Sequence, residues 1–137
     1  MHMIGNRLSL IFLIFVIGML ADLLLIEHFE SGWQIVPVVF LTLSAVSFLF
    51  LKAVAVVRAF FRVWMYLGMA SGVLGLFFHV KSNWEFATEL YADLKGWKLL
   101  TEVATGAIPV ISPGFLIPIA LFGLYLLRIR IDELEKS

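Results

Sequence analysis

The chain contains no cysteine. Disulfides, thiolate metal sites and thiol redox chemistry are therefore excluded. Histidine is nearly as scarce, confined to His2, His28 and His79. Met1-His2 ahead of Met3 reads as a cloning remnant, so His2 carries no functional weight. Charge is sparse and balanced, ten basic residues against ten acidic ones. No basic field exists to attract nucleic acid, and none is expected as a partner. Phosphate loops, nucleophile elbows, metalloprotease motifs and dinucleotide fingerprints are all missing. So are the His-x-x-x-His and Glu-x-x-His spacings of helical metal sites. Few routes to enzyme chemistry remain.

What the chain has instead is apolar surface. Its 137 residues are 62% hydrophobic, against about 45–50% in soluble domains, and the mean hydropathy is +1.03. A soluble chain this short could not bury so much apolar area, and lipid is the natural solvent for the excess. The pattern predicts a single all-α integral membrane domain. Its architecture is an up-down bundle of four transmembrane helices, with an amphipathic interfacial helix between the third and fourth spans.

The first span covers residues 8–26, too long an apolar run for a signal-peptide core and followed by no small-residue cleavage site. The second covers 34–51, with Pro37 in its first turn, where a missing N–H costs little. The third covers 63–80. Its small residues, Gly68 with Gly72 and Ser71 with Gly75, would let another helix approach closely. Asn83 is placed as N-cap of the interfacial helix, residues 84–104, which Gly96 bends. The fourth span, 106–127, contains Pro109, Pro113 and Pro118. Its start is predicted to be extended or re-entrant up to Pro113, with helix from Gly114. That segment and the interfacial helix would form a lid over His28 and His79.

Basic residues flank the spans unevenly. Arg7, Lys52, Arg58, Arg62, Arg128, Arg130 and Lys136 fall on one side, and Lys81, Lys95 and Lys98 on the other. Positive loops stay in the cytoplasm, so both termini are expected there. The pattern broadly resembles small bacterial four-helix membrane proteins, a likeness that implies a bacterial cytoplasmic membrane and carries no activity or site residue.

Three sets of polar residues carry the functional expectations. The pattern His-x-x-Ser-x-Trp occurs at His28-Ser31-Trp33 and again at His79-Ser82-Trp84. It reads as a parallel internal repeat or as ordinary boundary residues. Both copies fall on the outer side. Glu27, His28 and His79, supported by Asn83 and Glu30, are the right ligand types for a transition metal. His28 and His79, on diagonal helices, could also ligate one b-type haem. The plain alternative is that each histidine is an interfacial residue bonded to water or backbone. Asp22 interrupts the first span. A charge there costs roughly 2.5–3.5 kcal/mol on insertion scales, so it should face the bundle, where Thr42 and Ser71 lie at its depth. It serves either as a proton or cation site or as a buried acid that fixes packing.

Three functions follow. The first is a non-enzymatic accessory or interaction module, as a homo-oligomer or within a larger membrane complex. The second is a metal- or haem-binding protein, and the third conducts protons or cations through Asp22.

Overall fold

The computed structural model describes residues 2–27, 32–106 and 108–136. Among them the chain is all-helical, with no strand. Helix α1 runs His2–Leu25, α2 Gly32–Leu49, α3 Ala55–Leu90, α4 Trp97–Thr105 and α5 Leu116–Glu135, the last preceded by a 3₁₀ turn at Ser112–Phe115. Four of these are long and apolar enough to cross a membrane: Gly5–Leu25, Gly32–Leu49, Ala55–Leu90 and Ser112–Glu135.

The long helices form a ring in which α1 packs on α2 and α5, and α3 packs on α2 and α5. Phe12, midway along α1, meets Phe48, near the end of α2, at 4.8 Å between ring centroids. Phe48 in turn meets Phe61, early in α3. Met65 of α3 sits against Gly123 of α5, while Gly72 and Gly75, further along α3, face Ile117 and Pro113. The core joining all four is aliphatic and aromatic, with Phe12, Val16, Leu41, Phe61, Met65 and Ala120 fully enclosed.

Two of the expected elements are redrawn. The third span and the interfacial helix were divided at Asn83. The helix instead continues through Leu90, because Trp84 to Leu90 contains no Gly or Pro, and Lys81 pairs with Glu85 one turn on at 3.6 Å. At 36 residues, α3 is about 54 Å long, well beyond a ~30 Å hydrocarbon core. The interfacial helix shrinks to α4. Gly96 starts it at φ 59°, ψ −133°, a conformation open essentially to glycine alone. This lets the chain turn back so that Leu99 and Val103 of α4 pack on Ala87 of α3 as a second small core.

The fourth span begins as expected with irregular chain. Pro109 and Pro113 remove two donors; residues 108–111 are irregular, while Ser112, expected to be extended or in a turn, opens the 3₁₀ turn together with Pro113. Regular α-helix starts at Leu116, two residues later than expected, and reaches Glu135. Pro118 falls in its first turn, where its missing donor is tolerated.

Candidate functional site

The irregular segment ahead of α5 is held from behind by α3. The buried side chain of Asn83 donates to the carbonyls of Val103 at 2.9 Å and Ile108 at 2.8 Å. Its Oδ1 accepts the Ile108 N–H at 3.2 Å. Nδ1 of His79 lies 2.9 Å from the Pro109 carbonyl oxygen, a bond in which the ring N–H donates. Pro113 rests in the notch left by Gly75, where a Cβ would come within 2.5 Å of its ring. Backbone outside helix has no partner of its own for its N–H and carbonyl groups. Asn83 and His79 supply partners here.

With the segment drawn onto α3, the second half of α1 does not close against it or against the first turns of α5. The result is a half-open groove of about 840 Å³ between α1 and residues 109–122. Phe15, Met19 and Asp22 line its α1 wall, and Ile111, Phe115 and Pro118 the opposite one. Spacings of four and three residues put Phe15, Met19 and Asp22 on one stripe of α1. Asp22 and Ser112 supply the polar side chains of the described lining, and Asp22 the charge. Asp22 is exposed to this groove. The volume lies within the usual range for small-molecule sites, and an apolar wall with few polar groups is their usual make-up.

The expected partners of Asp22 are elsewhere. Thr42 is exposed on α2 and donates to the Val38 carbonyl at 2.8 Å, and Ser71 is half-buried on α3. Among the described residues neither bonds Asp22. Depth along the span was estimated from sequence, but rotation about the helix axis was not, and Asp22 turns toward α5.

The metal ligands are not brought together. His28 and Glu30 lie outside the described residues. Glu27 is exposed just past α1, and His79 is tied to Pro109. Asn83 points away from any solvent-facing site into the 103–108 backbone. Among the described residues no three of His, Cys, Asp and Glu stand close enough to share a metal. His28 and Ser31 of the first His-x-x-Ser-x-Trp stretch lie outside the described residues, and the two Trp differ in their setting. Trp33 is in the first turn of α2, its ring tilted against Phe78 at 6.4 Å between centroids, whereas Trp84 lies within unbroken α3.

The small residues of α3 face inward. A Cβ at Gly68 would stand 2.1 Å from the Phe40 ring, and one at Gly72 2.8 Å from Ile117. Phe40 is further fixed by stacking on Trp64 at 5.8 Å, and the Trp64 indole donates to the Phe40 carbonyl.

A second polar cluster involves none of the residues singled out from the sequence as a site. Arg130 and Glu133 are buried at the opposite end of the ring from the groove. Arg130 Nη1 donates to Glu133 Oε2 at 2.8 Å, and Nη2 donates to Ser9 Oγ at 2.7 Å. Lys52 reaches Glu133 at 3.9 Å. Gly5 makes room: a Cβ there would lie 2.7 Å from Glu133 Oε1. The available signal was the four-residue spacing of small Gly5 and Ser9 at one end of the chain, and an Arg–Glu pair three apart at the other.

No family model, curated protein or solved structure matches this chain.

Proposed function

We propose that the chain is an integral membrane protein, an up-down bundle of four spans with both termini on the cytoplasmic side. In this reading it is a non-enzymatic module whose groove holds a lipophilic amine from the bilayer. Its accessible surface is 9027 Å² for 15.5 kDa, against about 7,200 Å² for a compact soluble monomer of that mass. Much of the excess is apolar: Leu10, Ile14, Phe15 and Leu25 are at least 60% exposed. The start of α1, the end of α2 and the end of α5 meet at one end, through Ser9, Lys52, Arg130 and Glu133. The arginine-rich flanks gather there, which supports the orientation.

The observation that carries the functional reading is a single carboxylate in an otherwise apolar groove that opens sideways. An apolar tail fills the walls, and an ammonium group neutralises Asp22 where an unpaired charge is costly.

The test is electron spin resonance with the protein in liposomes, comparing spin-labelled stearylamine with spin-labelled stearic acid. The protein should immobilise a larger fraction of the amine, and Asp22→Asn should remove the difference. Equal immobilisation of the two probes by the wild-type protein would rule the reading out.

A further inference from the structure

At the arginine-rich end, a second cleft of about 340 Å³ opens between α3 and α5. Arg62 and Tyr66 line it from α3, Arg128 and Asp132 from α5, over a floor of Leu127 and Ile131. Met65 packs on Gly123, so Arg62 and Arg128, both further toward the same end, fall at similar depth. Both arginines are exposed, and among the described residues neither has an ion-pair partner. Asp132 lies one turn beyond Arg128 and forms no ion pair with it. Two guanidinium groups, a phenol and a carboxylate thus converge on one apolar-floored cleft without satisfying one another.

We infer that this cleft binds the headgroup of phosphatidylethanolamine. The inference rests on the membrane reading above and not on the Asp22 groove. Arg62 and Arg128 meet the phosphodiester, the oxyanion for which planar guanidinium donors are best suited. The Tyr66 hydroxyl is placed to donate to the same oxygens. Asp132 accepts N–H bonds from the primary ammonium. Leu127 and Ile131 lie under the glycerol and first methylenes. Asp132 decides among lipids. An anionic headgroup without a cation would meet it unfavourably, and a trimethylammonium offers it no N–H. Basic sites between helices at the cytoplasmic boundary are the usual places for lipid headgroups.

The experiment is native mass spectrometry of the whole protein released from nanodiscs holding equal parts of phosphatidylethanolamine, phosphatidylcholine and phosphatidylglycerol. The wild-type protein should retain phosphatidylethanolamine about two- to fivefold over each of the others. Arg62→Gln and Arg128→Gln should each lower retention of all phospholipids about fivefold. Asp132→Asn should keep phospholipid binding and lose the preference. The two arginines are exposed and Asp132 is half-buried, and the wild-type competition itself needs no variant. Equal retention of the three lipids overturns the inference, as does a preference that survives Asp132→Asn. Extraction of the chain by alkaline carbonate would overturn the membrane reading and this site with it. An embedded chain without lipid preference overturns the site alone.

Discussion

Glu27 follows α1 with φ 54°, the one left-handed residue other than glycine among those described. Its N–H bonds the Leu24 carbonyl at 3.2 Å, closing the helix. Glycine adopts that conformation without the Cβ penalty of about 1 kcal/mol. Glu27→Gly should therefore raise the thermal midpoint in detergent slightly. A loss of stability would show that the carboxylate itself makes an essential contact. Asn83 is the opposite case, a polar side chain with three bonds to one stretch of backbone. Asn83→Leu should cost about 2–4 kcal/mol, since it strands the Ile108 N–H and carbonyl. It should also make residues 106–111 the first site of limited proteolysis. Unchanged cleavage kinetics would mean that Asn83 does not hold the segment.

At the level of elements, two glycines matter for different physical reasons. Gly96 has open space around a would-be Cβ, and its φ of 59° is the constraint. Gly68 has ordinary helical angles and no space, with Phe40 pressed onto its Cα face. Gly96→Ala should cost about 1–3 kcal/mol through backbone strain and loosen α4 locally. Gly68→Ala should cost a similar amount by overpacking, but its effect should spread through α2 and α3. Hydrogen exchange separates them: faster exchange confined to residues 97–105 for the first, and across the α2–α3 interface for the second. The same pattern from both variants would contradict this division.

Across the whole molecule, the ring is fastened near its two ends by polar groups of different kinds. The groove end uses Asn83 and His79 to satisfy bare backbone. The far end uses the Arg130–Glu133 pair with Ser9 and Lys52 to join the first helix to the last. Arg130→Leu takes the 2.8 Å guanidinium partner from a buried carboxylate and should cost about 3–5 kcal/mol. Replacing both residues by leucine should recover most of that loss, because no charge is then left buried. Thermal unfolding in detergent measures both variants. A double variant no more stable than the single would show that the pair contributes net stability.

The sequence by itself determined the class of the molecule: four long apolar helices, an irregular approach to Pro113 and a regular helix after it. These follow from local rules, the run length needed to cross a bilayer and the donor that proline lacks. It also showed that Asp22 and the small residues of α3 were unusual. Tertiary structure alone decided what they face. Rotation about each helix axis sets whether Asp22 meets Thr42 or a groove, and packing fixes it, not composition. What the Asn83 side chain bonds from inside that unbroken helix depended on backbone carbonyls twenty or more residues away. The Arg130–Ser9 bond joins residues 121 apart in the chain. A contact of that separation leaves no periodic trace in the sequence, because it exists only once the first helix and the last lie side by side.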